Sequence, residues 1–306
     1  MPAPFSAATV AVRVPATSAN LGPGYDSFGL ALSCYDEVRA RVSGAGLDVR
    51  VAGAGAGTLA LDEGHLVVQA MRAAFDLLGA QPPGLALECA NAIPHGRGMG
   101  SSAAAIVSGI ELARGLSLDG RARLSEVEAL ALAAEIEGHP DNVAACLLGG
   151  LSIAWSSGGR GNGVRAASAD QLAATGVRPV LFIPAEQSET KAARAVLPAQ
   201  VPHADAAFNA GRAGLLVLAL TSRPELLLAG TEDRLHQGYR AAGMPASAGL
   251  VRALRQRGVA AVFSGAGSSV LALATAEQAG PAAELAPPGW ECAALTFSAG
   301  ARTALL

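Results

Sequence analysis

The sequence predicts an α+β fold in two domains. Three observations carry this expectation. The chain has 306 residues, above the size at which a single hydrophobic core keeps growing. Short apolar or alternating runs bounded by Gly or Pro read as strands. Longer runs with helical spacing interleave with them irregularly, without the strict strand–helix alternation of a repeating parallel sheet.

Taken in chain order, strands are expected at Thr9–Val14, Leu47–Ala52, Leu85–Ala90, Leu151–Trp155, Pro179–Ile183, Val259–Phe263, Val270–Ala274 and Cys292–Phe297. His65–Leu78 carries apolar residues at helical spacing and ends at Gly79, a stop signal. Ser101–Arg114 follows a glycine-rich loop. Ser125–Glu137 opens with Ser125 and Glu128 at capping-box spacing. Further helices are expected over His203–Leu220 and Ser247–Arg257. "AGAGAGTLALDEG" (Ala52–Gly64) reads as a surface loop. The glycine-rich "SSGGRGNGVR" (Ser156–Arg165) is the expected boundary, dividing the chain into residues 1–160 and 161–306.

Composition excludes several classes. Hydrophobic residues make up 51% and charged residues 15%, which is incompatible with general disorder. No run of 18 apolar residues occurs, so no membrane span is expected, and the first residues lack a secretory pattern. The net charge of −3 gives no electrostatic footprint for nucleic acid. Cys34, Cys89, Cys146 and Cys292 show no paired spacing and read as reduced, buried thiols of a cytoplasmic protein. Of the 22 basic residues, Lys191 is the only lysine.

The stretch "IPHGRGMGSSAAAIVSGIELA" (Ile93–Ala113) places three glycines against a helix start. Glycines let the backbone turn N–H groups towards a ligand, and the first helical turn adds unpaired donors and the positive dipole end. Ser101 and Ser102 sit where a hydroxyl can cap the helix, donate to phosphate or ligate Mg²⁺. The loop has no lysine and is therefore not the G-x-x-x-x-G-K-[ST] motif. Arg97 is the only cation near it in sequence, so carboxylate and hydroxyl ligands for Mg²⁺ are expected elsewhere. "AAEIEGHPDNVAACLLGG" (Ala133–Gly150) offers Glu135, Glu137, His139, Asp141 and Asn142 as candidates. Pro140 breaks the helix there. One His without paired Cys makes a poor zinc site.

Two more glycine turns complete the pattern, "PATSANLGPGYDSFGLAL" (Pro15–Leu32), read as an irregular loop, and "FSGAGSSVLAL" (Phe263–Leu273). Together with the phosphate loop, "EGHPDNVA" and the terminal "SAGARTAL", they resemble the GHMP kinase superfamily, and within it the homoserine kinase family, over nearly the whole chain. Met99 stands where that family usually has leucine, Ser268 where it often has proline, and His65 where it often has asparagine.

The resemblance implies an N-terminal domain like ribosomal protein S5 domain 2, then a ferredoxin-like domain, with ATP in the cleft between them. It implies phosphorylation of the side-chain hydroxyl of L-homoserine to O-phospho-L-homoserine in threonine biosynthesis. Pro94, His95, Gly96, Arg97, Gly98, Met99, Gly100, Ser101, Ser102, Ala103 and Ala104 would cradle the phosphates of ATP. Ser102 and Glu135 would hold Mg²⁺. Asn20, Asp26, His139, Asn142 and Gly265 would surround the amino acid, with Arg194 and Arg240 on its carboxylate. Catalytic roles fall to Glu135, Asn142 and Asp141. Asp141 aligns with a base in some relatives and is expected to be structural or electrostatic here. His65 lies in a segment near the adenine. A homodimer is compatible with the family. The rival readings are another small-alcohol kinase on this fold, acting on mevalonate, diphosphocytidyl-methylerythritol or L-threonine, and a catalytically dead metabolite sensor.

Overall fold

The structure is a computed structural model describing residues 4–186 and 190–306; the side chains at 190 and 191 are outside the description, and with them the lysine Lys191. Its first half holds strands β1 (Val10–Ala19), β2 (Phe28–Ser43), β3 (Gly46–Gly53), β4 (Gly84–Asn91), β5 (Leu151–Ser157) and β6 (Arg160–Ala167). Between them lie helices α1 (Leu66–Leu78), α2 (Ser101–Leu116), α3 (Gly120–Arg123), α4 (Glu126–Glu137) and α5 (Asp141–Leu148). The second half holds α6 (Ala169–Ala174), β7 (Arg178–Ile183), α7 (Thr190–Ala195), α8 (His203–Thr221), α9 (Leu227–Gly230), α10 (Gln237–Arg240), α11 (Pro245–Gln256), β8 (Ala260–Phe263), β9 (Val270–Ala274), α12 (Ala276–Ala283), β10 (Glu291–Ala294) and β11 (Arg302–Leu305).

Two sheets organise these elements. The larger has the order β11-β1-β2-β4-β3, with β5 on β2 and β6 on β5. The smaller runs β10-β7-β9-β8, all antiparallel, and its β-α-β-β-α-β connectivity is ferredoxin-like. The expected α+β class is therefore met. The expected break at 160/161 is not a linker. Ser157 and Arg160 pair across a tight hairpin whose turn, Gly158–Gly159, has both φ angles positive, the conformation a two-residue turn requires. Polar, glycine-rich composition marks tight hairpins as well as linkers. The division between the sheets falls later, between β6 and β7, and β11 returns to the first sheet beside β1.

The first motif also differs from its sequence reading. Pro15–Leu32 is not one loop. β1 continues through Thr17 and Ser18, which are wholly buried, to Ala19, and β2 begins at Phe28 after a turn. A register shift between Pro15 and Ala16 accommodates the proline in the ladder.

Helix α2 is the central element. It packs on α1, α4 and α5 and against β1 and β2. Nearly every turn is buried, Ala103, Ala104, Ile106, Val107, Ile110, Leu112 and Ala113 among them, as expected of a helix apolar on all sides. Its last turns are fixed by a buried polar network. Glu111 pairs with Arg114 and also accepts from Arg121 (2.9 Å) and Thr303 (3.1 Å), while Arg114 Nε donates to the Leu124 carbonyl (2.9 Å). These contacts tie α2 to α3 and to β11. Truncating Glu111 would leave the Arg114 guanidinium buried without its counter-charge. Glu111→Ala is expected to lower stability by about 3–5 kcal/mol in urea unfolding. Removing an exposed pair with Arg50→Ala should change it by less than about 1 kcal/mol.

Candidate active site

The ordered start of α2 governs the site. Gly96, Gly98 and Gly100 all have positive φ. A Cβ on Gly98 would stand 2.1 Å from the Ser264 carbonyl oxygen, and one on Gly100 would stand 1.9 Å from Thr17 Oγ1. Both positions combine a left-handed backbone with no room for a side chain. Gly100 itself precedes the first helical residue, so no side chain caps the helix. The first-turn N–H groups of α2 stay directed towards the loop. Ser264 Oγ donates to the Gly98 carbonyl (2.6 Å) and lies within hydrogen-bond distance of Ser18 Oγ (2.9 Å), whose hydroxyl it can accept from, joining the third glycine motif to the phosphate loop.

A cleft of about 720 Å³ opens at this point. Along it lie Gly96, Gly98, Met99, Gly100, Ser101 and Ser102 of the loop, Glu137, His139, Asp141 and Asn142 of the acidic turn, and Asn20, Arg194, Arg240, Gly265 and Ala266. A second cavity of about 780 Å³ shares Ser101 and Ser102 with it and is walled by Val38, Leu66, Val67 and Ala105, with Asp36, His65 and His95 as polar members. The start of α2 therefore sits where two cavities join. His65 is buried there with both ring nitrogens unpartnered among the described residues, and burial lowers its pKa.

The acidic turn is built by two helix ends. The Ser125–Glu128 capping box forms as expected. Helix α4 ends at Gly138 in the left-handed conformation, and α5 starts after Pro140. Glu137 is brought against α2: Ser102 Oγ donates to Glu137 Oε2 at 2.6 Å. Burial pushes the Glu137 carboxyl up from its ordinary pKa, opposed by the Ser102 hydrogen bond. The structure corrects the expectation for Glu135. That residue is exposed and does not line the cleft. Two residues along a helix rotate the side chain by about 200°, so Glu135 and Glu137 point to nearly opposite sides.

Asp141 is almost wholly buried. Its Oδ1 lies 2.9 Å from His139 Nδ1 and accepts the Asn142 N–H at 2.8 Å. Burial depresses the His139 pKa, but the Asp141 hydrogen bond and the charges of Asp141 and Glu137 outweigh it and hold it above the usual value. Asn142 Oδ1 accepts from Thr17 Oγ1 at 2.8 Å. Thr17 was not singled out by the sequence reading, although it lies inside the first motif.

On the facing side, Asn20 Nδ2 donates to the Gly265 carbonyl (2.7 Å), and Asn20 Oδ1 accepts the Asp26 N–H (2.9 Å). Arg194 grips Asp26 with two parallel bonds, 2.6 and 2.9 Å, and reaches Tyr25 Oη at 3.1 Å. The Asp26 contact raises the Arg194 pKa. Arg240 is almost fully buried and donates through Nε to the Ala193 carbonyl at 3.1 Å. Arg97 does not face the phosphate loop's interior. Its three nitrogens donate to the carbonyls of Pro184, Ala185 and His95, which ties the loop to the end of β7. Pro94, His95, Ala103 and Ala104 flank the cleft without lining it.

Among the described residues no three His, Cys, Asp or Glu side chains gather as a metal cage. One carboxylate and one hydroxyl beside a phosphate loop nevertheless suit Mg²⁺, which keeps waters and takes its other oxygens from phosphate. No helix among the described residues is long and apolar enough to cross a membrane.

The GHMP kinases N terminal domain family matches residues 65–150, which span α1, the phosphate loop and the acidic turn. A homoserine kinase of Streptomyces avermitilis is 55% identical over 295 residues, covering 96% of this chain and 95% of its own length. One of Streptomyces coelicolor is 56% identical, covering 94% and 91%. The crystal structure of homoserine kinase from Cytophaga hutchinsonii superposes with a TM-score of 0.80 at 25% identity, with 97% of both chains covered. The chain belongs to the homoserine kinase family of the GHMP kinases.

Proposed function

We propose that this protein transfers the γ-phosphoryl group of ATP to the side-chain hydroxyl of L-homoserine, forming O-phospho-L-homoserine in threonine biosynthesis. The observation that carries this reading is the pairing of Ser102 with Glu137 at the start of α2, facing a cleft lined by Arg194 and Arg240, with Asp26 paired to Arg194. The same resemblance supports a cytoplasmic homodimer.

Phosphoryl transfer demands positioning and charge stabilisation more than covalent help. The cleft-lining residues between Gly96 and Ser102 would supply backbone donors, and α2 its dipole, to the phosphates. Ser102 and Glu137 would hold Mg²⁺, which neutralises phosphate charge when bound. The apolar second cavity suits the nucleoside end, with His65 at its wall. An amino acid acceptor brings an ammonium and a carboxylate. Asp26 and Arg194 neutralise each other in the free protein and would receive those two charges, with Arg240 as the second carboxylate partner. Asn142, held by Thr17, and His139, held by Asp141, would orient the hydroxyl. Asp141 spends its inner oxygen on His139 and the Asn142 backbone, so we assign it to positioning and not to proton removal.

Three measurements test this. A coupled ADP-release assay should show turnover with L-homoserine far above that with mevalonate, diphosphocytidyl-methylerythritol or L-threonine. ATP binding with no turnover on any of them would support the sensor reading. Glu137→Gln should cut kcat about a hundredfold or more, whereas Glu135→Gln should stay within about twofold, since an exposed side chain off the cleft meets neither substrate. Asp141→Asn should lower kcat about tenfold with both KM values retained. Loss of a true general base costs about 10²–10⁴, and complete loss of turnover with both ligands still bound would contradict the positioning role.

A further inference from the structure

His236 lies behind the cleft, wholly buried, and does not line it. Its Nε2 stands 2.8 Å from the Gly22 carbonyl oxygen, and its Nδ1 stands 3.0 Å from Arg240 Nη1. An arginine only donates and a carbonyl only accepts. The hydrogen must therefore be on Nε2 and the lone pair on Nδ1, so the surroundings fix both tautomer and neutral charge. Arg240 has few other holds. Nε donates to Ala193, Nη1 makes a long 3.4 Å contact to the Gly265 carbonyl, and Nη2 has no partner among the described residues. Arg240 nonetheless lines the cleft.

We propose that His236 is a positioning residue for the acceptor substrate: as a neutral imidazole protonated on Nε2, it holds the Arg240 guanidinium in the orientation that receives the substrate carboxylate. This rests on the amino acid kinase reading above. The groups facing His236 are Arg240, the Tyr25 ring at 5.2 Å, Asp233 with Oδ2 at 3.6 Å from Nε2, and the more distant charge of Asp26. Asp233 is already engaged by the N–H groups of Leu235, His236 and Gln237. Burial lowers the His236 pKa, Asp233 opposes the shift, and Arg240 adds to it. The neutral form thus persists through neutral pH. Acidification past the lowered value replaces the Nδ1 lone pair with an N–H and sets two like charges face to face. The acceptor contact to Arg240 is then lost.

The two ring nitrogens can be replaced separately. His236→Asn returns an acceptor near the Nδ1 position and cannot reach Gly22. His236→Gln returns a donor near the Nε2 position and gives Arg240 no acceptor. His236→Leu removes both. With the full-length protein, His236→Leu and His236→Gln are expected to raise the KM for homoserine about 10–100-fold, with kcat and the KM for ATP within about threefold. His236→Asn should recover the homoserine KM to within about threefold of the parent. The parent KM for homoserine should rise as the pH falls through the lowered His236 value, below the ordinary histidine range, while the Asn variant loses that rise because it has no group to titrate at this position. Rescue by Gln and not Asn would overturn the proposal in favour of a hold on the Gly22 turn. Unchanged homoserine KM in both variants, or a fall confined to kcat, would overturn it as well. If the Leu variant does not fold, the Asn–Gln comparison decides. Absence of any ADP release by the parent with homoserine would instead sink the activity reading.

Discussion

A phosphate loop with no lysine in its own sequence must find positive charge elsewhere, and most of this structure follows from that constraint. Arg97, the one cation within the loop, spends all three nitrogens on carbonyls of Pro184, Ala185 and His95. What remains is the start of α2 and the carboxylate that meets it. Helix-terminal donors are effective only when their direction is fixed, because their contribution falls off within the first turn. The rest of α2 supplies that rigidity. It is apolar on nearly every side and anchored near its end by Glu111, Arg114 and Arg121. The loop before it has no room to relax, since Gly98 and Gly100 touch the third motif and β1.

The sequence located this arrangement to within two residues, and the error is informative. Spacing and capping correctly gave α4, its start at Ser125 and its break before Pro140. The carboxylate was placed at Glu135, whereas Glu137 is the one beside Ser102. Helical phase held the missing signal. Glu137 lies four residues after Ala133 and three after Ala134, both buried, so it shares their face. Glu135 projects from the solvent side. The acidic motif "EGHPDNVA" moreover opens on Glu137 itself.

Other misreadings have a common cause in polar strands. Thr17 and Ser18 belong to β1 although neither is apolar, because their hydroxyl groups find partners in Asn142 and Ser264. β2 was hidden in part by the first motif, yet its second half alternates buried Val38 and Ala40 with exposed Arg39 and Arg41, a period of two that a scan restricted to apolar runs overlooks. In the β5–β6 hairpin, glycine serves the turn, whereas its density suggests a domain boundary. β9 and α8 match their expected bounds to within a residue; β9 is an apolar run buried throughout, whereas α8 is set by helical spacing with few residues buried.

The two arginines of the cleft are held in chemically different ways, and the difference bears on how a zwitterion is received. Arg194 faces a full carboxylate, so its charge is cancelled by Asp26; in the proposed function a substrate ammonium would compete for that carboxylate. Arg240 is held by neutral acceptors, the Ala193 carbonyl and the His236 ring, with Tyr25 alongside. Neutral acceptors orient a guanidinium without cancelling its charge. A carboxylate at residue 236 would grip Arg240 more firmly, yet it would remove the field that, in the proposed function, would draw a substrate carboxylate inward. A buried neutral histidine satisfies both demands at once, because it accepts from Arg240 on one nitrogen while donating to Gly22 on the other. The price is a dependence on protonation state that a carbonyl would not carry.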